Sequence, residues 1–212
     1  MITRRTGLLS LVVATLLLAC GDKAPTTQPL AAGATVLALG DSLTSGVGAQ
    51  RGEDWPSLLA TMTQWHVINA GVSGDTSAQG AARLPDLLRE HAPSLVIIGL
   101  GGNDFLRRQS PDITRQSLTD SVRTAQAAGA QVILVAIPQP SLMAAAGAAP
   151  SDHPLYATLA KELNTPLFAG LWGPVLGDPA LRADAVHANA QGYAAFAQAL
   201  ESALRNAGFL RH

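Results

Sequence analysis

The chain has 212 residues, of which 14% are charged and 48% are hydrophobic, and its formal net charge at pH 7 is −1. This length is sufficient for one globular domain with a full core but short for two domains. The Lys and Arg residues are scattered rather than grouped into a basic run, which argues against nucleic acid as a partner.

The first twenty residues are typical of an export signal. Arg4 and Arg5 precede an apolar run over residues 8–18 that is too short to span a bilayer comfortably. The sequence Leu-Leu-Ala-Cys at residues 17–20 resembles a bacterial lipobox, in which the cysteine thiol is acylated and becomes the new N-terminus. We therefore expect residues 1–19 to be a lipoprotein signal peptide and Cys20 to be lipidated. A plain signal peptide followed by an incidental cysteine stays open as an alternative.

Cys20 is also the only cysteine, so the exported domain would contain no internal disulfide. Two or more acyl chains on it would give stable membrane anchoring. Gly21 follows the cysteine, and by resemblance to lipoprotein sorting signals this favours the outer membrane of a bacterial envelope, with the domain facing the periplasm. Residues 20–33 are polar and contain prolines, so we interpret them as the lipidated cysteine and a tether, and residues 34–212 as the domain.

Apolar runs and helical stripes alternate through the domain. The run over residues 35–39 predicts a strand buried on both faces. Gly40 then permits a sharp turn that presents Ser42 at the carboxyl end of this strand. Further strands are predicted at residues 67–69, 95–100, 132–137 and 166–168, and helices from residue 55, around residues 84–91, at 115–128 and 155–163, and around 193–204. This alternation predicts a three-layer α/β/α sandwich around a mostly parallel five-stranded sheet.

The candidate chemistry starts from Ser42, because a serine hydroxyl at neutral pH needs a base, and the base needs an orienting acid. Asp184 and His187 supply both just before the last predicted helix. The backbone N–H groups of Ser42 and Gly74 and the side-chain amide of Asn103 are candidate donors to an oxyanion, because each follows a different strand. Taken singly, these residues also fit helix caps, a turn glycine and an Asx turn.

Taken together, four segments resemble, in order and spacing, the four blocks of the GDSL or SGNH hydrolase family. They are residues 40–43, 73–76, 101–104 and 184–187. The resemblance implies a flavodoxin-like fold, a nucleophile at Ser42, a general base at His187 and an orienting acid at Asp184. It also implies an oxyanion hole made by Ser42, Gly74 and Asn103. Residues 69–76 and 82–85 are most similar to the periplasmic thioesterase, lysophospholipase and arylesterase branch.

The implied activity is that of a serine esterase that hydrolyses carboxylic esters or thioesters through an acyl-enzyme. No metal or organic cofactor is implied, and we expect a small acyl substrate and a monomer. Two alternatives remain: an O-deacetylase acting on envelope polysaccharide, and a catalytically silent envelope lipoprotein. A phosphate- or nucleotide-binding module is disfavoured, because neither Gly-x-x-x-x-Gly-Lys nor Gly-x-Gly-x-x-Gly occurs.

The chain departs from the branch at two places. Ala188 stands where the branch usually has proline, which could loosen the turn after the histidine. Residues 141–154, rich in alanine and glycine, do not match the substrate-side loop, so no acyl-chain preference can be transferred. We predict that this stretch is a mobile loop beside the crevice. Asp41 and Asp104 flank the motif residues, but in the family they are structural rather than catalytic.

Overall fold

A five-stranded parallel sheet forms the centre of the computed structural model, which describes residues 27–139 and 149–210. The strands are β1 (Thr35–Gly40), β2 (His66–Gly71), β3 (Leu95–Gly99), β4 (Gln131–Val135) and β5 (Leu167–Phe168), and their spatial order is β2-β1-β3-β4-β5. Every pairing of neighbouring strands is parallel. The predicted α/β class and the five-stranded sheet are therefore confirmed.

Helices cover both faces of this sheet. Within the described residues the α-helices are α1 (Ser42–Ser45), α2 (Trp55–Thr63), α3 (Ser77–His91), α4 (Gly102–Leu106), α5 (Pro111–Ala127), α6 (Leu155–Glu162), α7 (Trp172–Gly177) and α8 (Ala190–Asn206). Helix α3 packs against α5, and α2 packs against α8. These two pairs are the outer layers of the predicted sandwich. None of the helices in residues 27–139 and 149–210 is both long and apolar enough to cross a membrane.

The core lies between these layers and follows the apolar runs of the sequence. All residues of the central strand β3 are buried, as are five of the six residues of β1. This is the pattern expected for parallel strands that are covered on both faces. Strand β2 lies at the edge of the sheet and is more exposed, which explains why its sequence carries a weaker apolar signal.

The residues before β1 pack against the domain. Thr27 donates its hydroxyl hydrogen to the carbonyl of Ala207, and the side chain of Gln131 both accepts from and donates to the backbone of Gln28. Leu30 is buried in the core. Residues 27–30, which lie in the predicted tether, therefore pack against the domain. The predicted signal peptide and Cys20 lie outside the described residues, as do residues 141–148 of the predicted loop.

Candidate active site

Ser42 opens helix α1, which begins immediately after β1. Asp41 caps this helix by accepting the N–H of Leu43 on its carboxylate at 3.0 Å. The helix packs closely on the strand ends, because a Cβ at Gly40 would lie 1.9 Å from Thr44 Oγ1. Only glycine fits at that position without displacing the helix. The hydroxyl of Ser42 is thus presented at the carboxyl edge of the sheet, where parallel α/β folds bind ligands.

His187 and Asp184 reach Ser42 from the other end of the chain. Nε2 of His187 lies 3.0 Å from Oγ of Ser42, across a separation of 145 positions in sequence. Nδ1 of His187 lies 2.7 Å from Oδ2 of Asp184. Oδ1 of Asp184 accepts the backbone N–H groups of Val186 and His187, each at 2.8 Å. The structure therefore brings the predicted nucleophile, base and acid into one hydrogen-bonded line.

Asp184 is held in its ionised form by these contacts. Partial burial alone would raise the pKa of Asp184, but the hydrogen bonds from the His187 ring and from two backbone N–H groups outweigh it. The net pKa of the carboxyl group therefore lies below its usual range. An ionised carboxylate is the form that accepts the Nδ1–H of an imidazole.

The turn that carries His187 is closed without the proline usual in the related branch. Ala188, which takes that position, is completely buried and pairs in an isolated bridge with Arg182. The N–H of Ala183 donates to the carbonyl of His187 at 3.0 Å. The side chain of Asn189 caps α8 and donates to the carbonyl of Arg182 at 3.3 Å. Burial and hydrogen bonding thus fix the turn that the alanine could have loosened.

The three candidate oxyanion donors all lie beyond the carboxyl ends of the parallel strands. Gly74 follows β2 and has a φ of +84°, in the left-handed region that favours glycine. Within the described residues, the backbone N–H groups of Ser42 and Gly74 donate to no protein acceptor. Nδ2 of Asn103, on α4, donates to the carbonyl of Asp75 at 3.0 Å and to the carboxylate of Asp41 at 3.3 Å.

Asp41 and Asp104, the two acids beside the motif residues, are both buried. Burial raises the pKa of Asp41 to about 6, and nearby Asp104 adds to this, while the Leu43 N–H and the His187 ring oppose it. Asp104 accepts the backbone N–H and hydroxyl of Ser77 and the hydroxyl of Thr114. Both carboxylates therefore join loops and helices around the site, and neither accepts a hydrogen bond from Ser42 or His187 in the described structure.

Two supporting contacts of the site were not expected from the sequence. Arg83 on α3 binds the carboxylate of Asp75 at 2.8 Å and the carbonyl of Gly40 at 3.0 Å, and so links the loop after β2 to the end of β1. Asn69 donates to the carboxylate of Asp54 at 3.0 Å, which also caps α2. Both Arg83 and Asn69 lie within the segments that resemble the esterase branch, but their sequence context does not reveal these partners.

A cleft of about 570 Å³ opens around Ser42 and His187. Its apolar lining residues are Leu43, Leu106, Ile137, Pro138, Pro150, Leu176, Ala185 and Val186. Such a volume and such walls suit a small, mostly apolar ligand. A second cavity of about 510 Å³ lies at the amino ends of the strands, opposite the cleft. It is lined by Leu88, Ser94 and Gln131 among others and contains none of the candidate catalytic residues. No group of three or more metal-ligating side chains occurs in residues 27–139 and 149–210.

Comparison with known proteins points to the same chemistry. The family model described as GDSL-like Lipase/Acylhydrolase family matches residues 38–195. Thioesterase 1/protease 1/lysophospholipase L1 of Escherichia coli is 39% identical over 164 residues, which cover 75% of this chain and 77% of the relative. Esterase TesA of Pseudomonas aeruginosa is 44% identical over 115 residues, which cover 52% of this chain and 57% of the relative.

Solved structures show the same fold. The crystal structure of TesA superposes with a TM-score of 0.73 at 32% identity, covering 82% of this chain and 99% of the other. The psychrotrophic esterase EstA from Pseudoalteromonas sp. superposes with a TM-score of 0.71 at 27% identity, covering 81% of this chain and 97% of the other.

Proposed function

We propose, from the premise that this chain belongs to the GDSL-like lipase/acylhydrolase family and is a carboxylic ester hydrolase, that Ser42, His187 and Asp184 are its catalytic triad. The proposal rests on one observation: hydrogen bonds connect Ser42 Oγ to the His187 ring and the His187 ring to the Asp184 carboxylate. The reaction is then a double displacement through an acyl-enzyme.

In the first half, Ser42 Oγ attacks the acyl carbonyl while His187 Nε2 takes its proton. This requires the neutral ring with its proton on Nδ1, and the contact with Asp184 at 2.7 Å supports that tautomer. The carboxylate also stabilises the imidazolium ion that forms. His187 then gives the proton to the departing alcohol or thiol as the bond between the acyl carbon and the leaving oxygen or sulfur breaks.

In the second half, a water molecule attacks the acyl-enzyme. His187 removes a proton from the water and later returns a proton to Ser42 Oγ as the carboxylic acid leaves. All of the proton transfers use the single ring nitrogen that lies 3.0 Å from Ser42. The proposed proton transfers therefore use only side chains of the protein and water.

Both tetrahedral intermediates carry an oxyanion, and three donors at the cleft are proposed to bind it. The N–H groups of Ser42 and Gly74 have no protein acceptor within the described residues, which supports this role. Asn103 already donates to two protein oxygens. Its longer bond, to the Asp41 carboxylate at 3.3 Å, is the one that the oxyanion would replace.

Single-chain acyl esters and thioesters are the proposed substrates. The apolar wall of the cleft supports binding of an acyl chain, because burial of hydrocarbon supplies roughly 0.8 kcal/mol per CH₂ group. The relatives named thioesterase, lysophospholipase, esterase and arylesterase support the same range of leaving groups.

The decisive experiment treats the purified protein with an organophosphonate and locates the adduct by mass spectrometry. A phosphonate on Ser42, together with turnover of a short p-nitrophenyl ester that Ser42→Ala abolishes, would support the triad. Ser94→Ala, at the amino end of β3 and away from the cleft, should retain wild-type turnover. Ester turnover that is equal in wild type and Ser42→Ala would refute the proposal. Comparing acyl esters of increasing length with acetylated glycans separates acyl-ester hydrolysis from O-deacetylation.

We also propose that the protein is a bacterial envelope lipoprotein anchored through an acylated Cys20. The proposal is supported by the lipobox-like residues 17–20 and by the absence of any other cysteine. Palmitate labelling of the full chain in a bacterial host, with Cys20→Ala as the control, tests it. Label that persists in Cys20→Ala, or that never enters the wild type, would contradict the anchor.

A further inference from the structure

The guanidinium group of Arg107 is bound to the loop that carries a candidate oxyanion donor. Nη2 of Arg107 donates to the backbone carbonyl of Gly74 at 2.9 Å, across 33 positions in sequence. Arg107 is the C-cap of α4, directly after its last residue Leu106, and α4 itself carries Asn103. One short helix and its cap therefore contact the Gly74 loop and supply a candidate donor.

The loop is fixed at two successive carbonyl groups by this helix. Arg107 binds the carbonyl of Gly74, and Nδ2 of Asn103 binds the carbonyl of Asp75 at 3.0 Å. Arg83 holds the carboxylate of Asp75 from the other side. Gly74 itself has no side chain that could pack, and a Cβ added there would meet only the guanidinium of Arg107, at 3.5 Å. Among the described residues, Arg107 therefore contacts the side of Gly74 on which a side chain would lie.

The direction of the Gly74 N–H depends on these anchors. The N–H and the carbonyl of one residue are related by its two backbone dihedrals, and glycine rotates about both more freely than any other residue. Gly74 has a φ of +84°, and a rotation that turned its N–H away would have to change these dihedrals against the hydrogen bond that holds its carbonyl. A released carbonyl would let the N–H swing away from the cleft.

We propose that Arg107 is a positioning residue for the oxyanion hole, which holds the Gly74 carbonyl so that the Gly74 N–H faces the cleft. This inference rests on the proposed function. Arg107 is exposed, so water can replace its hydrogen bond to the carbonyl and its loss should hardly change stability. The effect should appear in catalysis, because a donor displaced by even 1 Å loses much of its value in the transition state.

The first experiment compares Arg107→Ala with Arg108→Ala on a soluble p-nitrophenyl ester. Arg108 is the next residue, is also exposed and makes no hydrogen bond to the Gly74 loop in the described structure, so it is a matched control. Arg107→Ala should lower kcat by about 10-fold with KM within twofold and an unchanged melting temperature. Arg107→Lys should restore part of the loss. Equal kcat values in the two alanine variants would overturn the inference.

The second experiment is a double-mutant cycle that asks which donor Arg107 acts through. In an Asn103→Ala background, Arg107→Ala should still lower kcat by about 10-fold, because the Gly74 donor remains to be misplaced. In a Gly74→Ala background, where the left-handed backbone is already strained, the further loss should be less than threefold. The same loss in both backgrounds would overturn the assignment to Gly74.

The rate of Ser42 phosphonylation separates this inference from the proposed function. If Ser42→Ala keeps full esterase activity, the triad itself is wrong, whatever Arg107 does. If Ser42 is required and labelled, but Arg107→Ala is labelled and turns over as fast as the wild type, only the role of Arg107 fails. A parallel fall in labelling rate and kcat supports it, because the phosphonyl oxygen occupies the same donors.

Discussion

Asp184 Oδ2 lies 2.7 Å from His187 Nδ1, even though 54% of the Asp184 side chain is exposed to solvent. An exposed carboxylate normally rotates, and its single contacts contribute little. Here its other oxygen accepts two backbone N–H groups, which fix the plane of the carboxylate. The orientation of the Asp184 carboxylate towards the imidazole is therefore set by the short turn between the two residues rather than by burial of Asp184.

Asp184→Asn should lower kcat by about 10³-fold or more with little change in KM, because the amide presents an N–H to Nδ1 and so favours the wrong ring tautomer. Steady-state kinetics on a p-nitrophenyl ester would measure the loss. Asp178→Asn is the control, since Asp178 is an exposed cap of a 3-10 turn and asparagine caps equally well. More than a tenth of wild-type kcat in Asp184→Asn would speak against the proposed role.

Asn103→Ala should lower kcat by about 10²- to 10³-fold, the usual effect of deleting one oxyanion donor. Asn103→Asp has nearly the same shape but, when ionised, donates no hydrogen bond. Both variants should lose activity, and their rates of phosphonylation at Ser42 should fall in parallel. If the aspartate variant retained wild-type kcat, packing rather than hydrogen bonding would explain the alanine result.

Asp41→Asn should change how stability depends on pH. The folded-state pKa of Asp41, about 6, lies above its ordinary value of 3.8, so the folded protein binds this proton more tightly than the unfolded chain. The stabilisation is complete below about pH 4 and is lost as pH rises through 6, a change of about 3 kcal/mol. Urea unfolding should show that Asp41→Asn lacks this decline, whereas exposed Asp112→Asn retains it. Parallel curves for wild type and Asp41→Asn would contradict the assignment.

Asp104→Ala should lower the free energy of unfolding by about 3 kcal/mol, because it leaves buried donors without acceptors. Asp104 is completely buried and accepts hydrogen bonds from Ser77 and Thr114. Asp112→Ala removes an exposed acid from the first turn of α5 and should change stability by well under about 1 kcal/mol. Urea denaturation midpoints would measure both, and similar midpoints for the two variants would refute the structural role of Asp104.

The fold was predictable where burial leaves a strong mark on composition. Continuous apolar runs identified β1, β3 and β4, because strands covered on both faces carry no alternation of polar residues. The one-turn helices α1 and α4 were not predicted, since four or five residues are too few to show a helical period. The packing of Leu30 was missed because it is an isolated large apolar residue that follows a segment of proline and polar residues.

The candidate site was predictable to the extent that its residues occupy strand ends. Ser42, Gly74 and Asn103 each follow a parallel strand, so the topology alone brings them to one edge. The contact of Arg107 with Gly74 could not be predicted in the same way. It depends on how far α4 extends and which way one flexible side chain turns, and neither is encoded in local sequence.

Thr27 and Ser42 lie near opposite ends of the parallel strands. Gln28 meets Gln131 at the amino end of β4, whereas the cleft opens where the parallel strands finish. Six residues separate Cys20 from Thr27, and even a fully extended chain of that length reaches only about 25 Å. A lipid on Cys20 would therefore attach the domain to a bilayer through the end of the sheet opposite the cleft.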